Sequence, residues 1–153
     1  MNASLRLRPF APADEAAVVA LWQACGLLRP WNDPHKDIAR KLSEQPDLFL
    51  VALWPDAQTG AGQIVGTAMA GFDGHRGWVY YLAVAPGRQR LSIGRRLMSE
   101  AEHLLLARGC PKVNLLVRSS NQGVLAFYEK LGYVRDDVVS VGKRLIPDIA
   151  PAP

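Results

Sequence analysis

Short apolar runs alternate along this chain with segments whose apolar residues return every three or four positions, and that alternation predicts strands and helices in turn. Residues 5 to 8 set Leu5 and Leu7 against Arg6 and Arg8, the two-residue period of a strand with one buried face. Asp14 precedes Val18, Leu21, Trp22 and Cys25, spaced for one helix face, and Gly26 supplies a stop. Asp33 as cap, Pro34 at the first helical position and Ile38 with Leu42 on one face predict a second, shorter helix. LFLVAL (48–53) and IVGTAMAGF (64–72), separated by WPDAQTGAGQ, predict two antiparallel strands and a hairpin loop. A DGHRG turn (73–77) leads into WVYYLAV (78–84), which is apolar on both faces and reads as a central strand ended by Pro86. Ile93, Leu97, Ala101, Leu104 and Leu105 form the stripe of a helix stopped near Gly109 and Pro111. VNLLV (113–117) predicts another buried strand, and Asn121 caps a helix carrying Leu125, Tyr128 and Leu131. Residues 138–146 predict a closing strand, and the Pro-rich tail, 148–153, is expected to be loose. The order is that of one α/β domain over residues 1–147, a mixed, mostly antiparallel sheet flanked by helices.

Composition adds limits. At 153 residues the chain is long enough to bury roughly 70% of its extended surface in one core. Neither an export signal nor an uninterrupted apolar run of membrane-spanning length is visible, so a soluble cytoplasmic protein with no membrane partner is expected. Cys25 and Cys110 are too few for a disulfide framework, and no paired ligand spacing involves His35 or His103, so no metal site is expected. The 18 Lys and Arg against 14 Asp and Glu give a net charge of +4, which suits an anionic ligand. Four of those cations, Arg88, Arg90, Arg95 and Arg96, fall within nine residues.

That cluster surrounds QRLSIGRRL (89–97), a loop between a strand and a helix, where the first helical N–H groups lack internal partners and face any anion. Gly94 allows close approach; Ser92 stands where such loops carry a second glycine, and it donates an amide there provided its φ stays negative. Read locally, the same residues also describe a plain helix start with a solvated arginine face. Neither the P-loop nor the dinucleotide-binding pattern is present. A nucleic-acid interface would need more basic residues, interleaved with aromatics, so no nucleic-acid partner is expected.

The series YYLAVAPGRQRLSIGRRLM, a strand, then NQGVLAFYEKLGY resembles the GNAT family of acetyl-CoA-dependent N-acetyltransferases. Gln89, Ser92 and Gly94 occupy the positions of that family's Q/R-x-x-G-x-G/A loop, with serine departing from glycine. Asn121, Phe127, Tyr128, Glu129, Lys130, Gly132 and Tyr133 match its second motif, with Val124 departing from alanine. GLLRPWNDP and GFDGHRG further resemble a bacterial subgroup of that family, the YpeA-like proteins.

The resemblance implies the GNAT fold, acetyl-CoA as co-substrate and an amine-bearing acceptor, with direct transfer in a ternary complex. It implies that Gln89, Arg90, Leu91, Ser92, Ile93, Gly94 and Arg95 cradle the cofactor's pyrophosphate, that Leu82, Ala83 and Val84 pair with its pantetheine arm, and that Asn121 also contacts it. Tyr128 resembles the family's general acid, which protonates the thiolate leaving group; as a tyrosine on an apolar helix face it also reads as core. A lysine-like amine is neutral only about one time in 2,500 at pH 7, so a base is needed, and Asp73, His75, Tyr80 and Tyr81 are candidates. His75 and Asp73 also read as ordinary turn residues. Acceptor recognition falls to Arg29, Trp31, Asn32, Asp33 and Tyr80, although Trp31 serves equally well as a pin for its loop. A non-catalytic acyl-CoA sensor of the same fold is the rival reading, and a homodimer is compatible with either.

Overall fold

Leu5 is buried and Arg6 exposed at the start of β1 (Arg6–Pro9), so the two-residue alternation becomes a strand. The computed structural model describes residues 4–149. After β1 come α1 (Glu15–Ala24), α2 (Pro34–Ser43), β2 (Phe49–Pro55), β3 (Gly62–Phe72), β4 (Gly77–Val84), α3 (Ile93–Ala107), β5 (Val113–Asn114) and α4 (Gln122–Lys130). The strands lie in the order β1-β2-β3-β4-β5, antiparallel except for the parallel β4–β5 pair. On one face α3 and α4 close over a core that includes Leu50, Val65, Leu97 and Leu105. On the other, α1 and α2 bury Val18, Trp22 and Ile38 against Phe49, Val51 and Met69.

Close approach of α3 to the sheet depends on Gly66, where an added Cβ would stand 2.9 Å from Leu97 Cδ1 and 3.0 Å from the Ala83 carbonyl. β5 is shorter than the 113–117 expected. It pairs with β4 only through Gly77 opposite Val113 and Trp78 opposite Asn114, and the two strands then part. The apolar character of β4 on both faces comes from helices on each side; from Val79 onward its edge toward β5 carries no ladder.

The closing strand expected at 138–146 does not form. Val138, Val139, Val141, Leu145 and Ile146 are all exposed, because alternation supplies side-chain faces but no backbone partner, and β5 leaves its ladder after Asn114. The segment is instead fastened at its far end. The buried Asp148 carboxylate accepts from the Asp33 amide at 3.0 Å and from Arg40 at 2.6 Å, its carbonyl accepts from Lys36, and Arg144 donates to Asn32 Oδ1 at 2.5 Å. The tail therefore begins as an anchored segment, and residues 150–153 lie outside those described. Asp14, which precedes the apolar series of α1, spends its side chain elsewhere. It sits at the end of a 3₁₀ turn (Pro12–Asp14), accepts from the Ala11 amide at 2.8 Å and pairs with Arg8 at 2.7 and 3.0 Å, so it does not cap α1. That Arg8 hydrogen bond holds the Asp14 carboxyl below its ordinary range.

Candidate functional site

The parting of β4 and β5 opens a cleft of about 2180 Å³. Its walls come from α2 (Asp37, Arg40, Lys41), from β4 (Trp78, Tyr80, Tyr81), from Leu115 to Val117, and from α4 and the segment after it (Tyr128, Tyr133).

Two neighbouring tyrosines line it because β4 carries a bulge. Thr67 stands opposite Ala83 and Met69 opposite Tyr80, so Tyr81 and Leu82 together face Ala68 alone. Strict alternation would send Tyr80 and Tyr81 to opposite faces; a positive φ of 50° at Tyr81 turns its ring back onto the α1 side. For an aromatic residue that left-handed conformation costs about 1–2 kcal/mol. What holds it is buried and specific. The Tyr81 ring stacks on Trp22 with centroids 3.8 Å apart, and the Tyr81 carbonyl accepts from the Thr67 hydroxyl at 2.7 Å. That hydroxyl in turn accepts from Trp22 Nε1 at 2.9 Å, and the Tyr81 hydroxyl donates to Asp37 at 2.6 Å.

Tyr128 reaches the cleft from α4. Its ring, 8% exposed, lies edge-on to Phe127 and Tyr133 at 5.1 and 5.5 Å. Its hydroxyl makes no hydrogen bond among the described residues, and burial pushes its pKa up to about 12. A proton held on this phenol is therefore retained at neutral pH. The Asn121 side chain caps α4 by accepting from the Val124 amide at 3.2 Å.

At the C-terminal end of β4 the chain turns through residues 85–92 into α3. Arg90 and Ser92 both adopt left-handed conformations, with φ of 68° and 61°. The condition that Ser92 keep a negative φ is thus not met, and its hydroxyl makes no cap bond to the helix. Left-handed residues alternating with ordinary ones turn successive amides toward one side, the geometry of an anion nest. Arg96 N is bonded to Ser92 O at 3.0 Å, so the amides of Ile93, Gly94 and Arg95 precede the first internal hydrogen bond of α3. Gly94 has no positive φ; it is glycine because Phe127 Cζ would stand 3.2 Å from an added Cβ, which lets α4 close onto the start of α3.

Of the four clustered arginines, Arg88 stacks over the Trp54 ring at 4.6 Å and Arg96 donates to the Leu5 carbonyl at 3.0 Å. Arg90 and Arg95 remain exposed, with no acidic partner among the described residues. The positive charge available to a ligand is thus narrower than the sequence cluster. Gln89 and Leu91 are exposed on the loop, while Leu82 belongs to the bulge and Ala83 and Val84 follow it, with the Val84 carbonyl accepting from Cys25 Sγ at 3.2 Å.

The residues expected to meet the acceptor divide. Arg29, Asn32 and Tyr80 line the cleft. Arg29 also donates to the Gly26 and Leu28 carbonyls at 2.9 and 3.1 Å, which shapes the loop between α1 and α2. Trp31 faces a separate shallow groove with Arg40 and residues 142–146, and Asp33 caps α2 by accepting from the His35 amide at 2.9 Å. Asp73 and His75 are not brought to the cleft. Asp73 folds its carboxylate into its own turn, accepting from the Arg76 and His75 amides at 2.7 and 2.8 Å and from Trp78 Nε1 at 3.2 Å. Those backbone bonds lower its pKa and leave it a poor base. Asp37 and Arg40 went unmarked in the sequence because nothing about their spacing on α2 separates them from a solvated helix face. Among the described residues no group of three or more His, Cys, Asp or Glu is placed to hold a metal ion, and no helix is long and apolar enough to cross a membrane.

Similarity to known proteins agrees with this geometry. The profile of the acetyltransferase (GNAT) family matches residues 16–133. An acetyltransferase of Sodalis glossinidius (strain morsitans) is 50% identical over 145 residues, covering 94% of this chain and 98% of that one. Among solved structures, a putative acetyltransferase from Agrobacterium tumefaciens str. C58 superposes with a TM-score of 0.70 at 19% identity, over 91% of this chain and 99% of that one. AAC(6')-Iy in complex with the bisubstrate analog CoA-S-monomethyl-acetylneamine gives a TM-score of 0.73 at 14% identity, over 92% and 99%. With its sheet parted between β4 and β5, its loop into α3 and the family match across most of its length, the chain belongs to the acetyltransferase (GNAT) family and is an acetyl-CoA-dependent N-acetyltransferase.

Proposed function

We propose that the chain transfers acetyl directly from acetyl-CoA to an amine that enters the cleft as its ammonium and gives up one proton to water before its nitrogen attacks the thioester, both substrates bound at once. The observation that carries this reading is Tyr128, a buried phenol whose hydroxyl has no protein partner among the described residues and lines the gap between β4 and β5. Acetyl-CoA, when bound, supplies the activated acyl group and the thiol leaving group.

The residues present fit that molecule. The amides around Ser92 and at the start of α3, with the exposed Arg90 and Arg95 side chains, suit a pyrophosphate. The unpaired edge of β4 through Leu82, Ala83 and Val84 offers backbone groups to an amide-bearing arm. Gln89, Leu91 and Asn121 are exposed and free to meet the same molecule, while Ile93 and Gly94 are buried and would contribute through their backbone alone. Tyr128 carries at Oη the proton that the departing thiolate takes up as the C–S bond breaks, and burial, which raises the phenol pKa to about 12, keeps that proton in place beforehand. Tyr80, 47% exposed and stacked on Trp78, walls the acceptor side together with Arg29 and Asn32. The complex of AAC(6')-Iy with a CoA-linked amine analog supports simultaneous occupancy in this fold.

Isothermal titration with acetyl-CoA, desulfo-CoA and ATP tests the cofactor half. Micromolar binding of both CoA compounds, with ATP much weaker, is expected. Thiol release is then followed with four amines: a peptide with a free N-terminus, a blocked peptide with one lysine, spermidine and an aminoglycoside. Tight CoA binding without turnover of any amine would instead mark a CoA-binding module, and absence of CoA binding would sink the whole reading.

A further inference from the structure

The bulge network ends on Asp37, a carboxylate whose acceptor capacity is not used up by its part in the fold. Asp37 on α2 accepts the Tyr81 hydroxyl at 2.6 Å on Oδ2 and Arg40 at 3.2 Å on Oδ1. Each carboxylate oxygen has two acceptor sites, so half the capacity of this group is still open. The Asp37 side chain is 25% exposed and lines the cleft, whose walls also carry Tyr80 and Trp78. Arg40, its one cationic partner among the described residues, is shared with the buried Asp148 at 2.6 Å, so the guanidinium does not saturate Asp37.

Tyr81 makes this arrangement more than a surface ion pair. Its backbone is held in a left-handed conformation by Thr67 and Trp22, and its side chain ends in a phenol that donates to Asp37. We propose that Asp37 receives the ammonium of the acceptor, with Tyr81 as the positioning residue that orients the carboxylate. This rests on the reading of the cleft as the acceptor site. The ligand class is a primary amine that arrives protonated, with a neutral alcohol of the same shape excluded.

The discriminating variant is Asp37→Asn, whose amide oxygen still accepts from Tyr81 but whose charge is gone. A purely structural tie predicts wild-type behaviour from Asp37→Asn and damage from Tyr81→Phe. Ammonium recognition predicts that Asp37→Asn raises KM for the best of the four amines at least tenfold, with kcat within about threefold and desulfo-CoA affinity unchanged. Tyr81→Phe, which keeps the charge and loosens its aim, is expected to raise KM by a smaller factor. If none of the four amines turns over, each is titrated calorimetrically into enzyme saturated with desulfo-CoA. Tighter binding to wild type than to Asp37→Asn supports the assignment even where the transferase reading has failed. Equal KM, or equal binding where there is no turnover, in wild type and a folded Asp37→Asn overturns it; should that variant not fold, an unchanged KM or amine affinity in Tyr81→Phe does so.

Discussion

Ser92 holds a glycine's conformation without being glycine, and replacing it with glycine separates backbone strain from ligand chemistry. At φ 61° and ψ 18° its Cβ crowds the following carbonyl, which costs about 1–2 kcal/mol. The side chain offers little in return, since it is exposed and its hydroxyl makes no cap bond. Against relief of that strain stands the extra freedom glycine gives the unfolded chain, about 0.4–1 kcal/mol. Ser92→Gly should therefore stabilise the fold by roughly 0.5–1 kcal/mol, and for a domain of this size each kcal/mol moves Tm by about 2–4 °C. Scanning calorimetry is the assay, with Ser92→Ala as control: it keeps the left-handed strain and should not raise Tm. Because the anion site proposed above is built from backbone amides that glycine presents in the same conformation, desulfo-CoA affinity should stay within about threefold. A Ser92→Gly protein with Tm unchanged or lowered would refute the strain argument. A tenfold loss of CoA affinity would show that the hydroxyl, not the amides, binds the phosphate.

Tyr128→Phe should lower kcat by about 10²- to 10⁴-fold, the usual range for a positioned acid, while desulfo-CoA affinity and Tm hold, because the lost hydroxyl has no protein partner among the described residues. Thr67→Val leaves both Trp22 Nε1 and the Tyr81 carbonyl without their partner in a site that is 0% exposed, and at about 1–3 kcal/mol per orphaned group it should lose roughly 2–5 kcal/mol in urea unfolding. The Asp148 clamp has a defined pH window. The Arg40 hydrogen bond, then that of the Asp33 amide, lowers its carboxyl from 3.8 to about 2, so its contribution is complete above about 4 and is lost as pH falls through about 2. The Asp33 amide resonance should titrate with that low midpoint, and Asp148→Asn should abolish the titration. At the other extreme Tyr128, raised to about 12, stabilises the fold fully below about pH 10 and loses that contribution as pH rises through 12, which alkaline unfolding of Tyr128→Phe would reveal.

What the sequence by itself determined was whatever local spacing encodes. Ile93, Leu97, Ala101 and Leu105 place one face of α3 in the core, and Asp33 with Pro34 starts α2, because a helix periodicity or a cap needs only neighbours along the chain. The two family motifs, and with them the family, were legible for the same reason: Gln89 to Gly94 and Asn121 to Tyr133 each lie within a single turn-helix unit. The tertiary structure decided everything that depends on two distant segments meeting. Alternation at 138–146 announced a strand, but a strand exists only where an edge receives it, and the departure of β5 from β4 removed that edge. The φ of Ser92 and of Tyr81 is set by what the loop and the bulge pack against, with Trp22 and Thr67 reaching Tyr81 from elsewhere in the chain. Asp37 became a candidate for the same reason. On α2 it is one acidic residue among several charged ones, and only the bulge that turns Tyr81 toward it gives its carboxylate a fixed direction into the cleft.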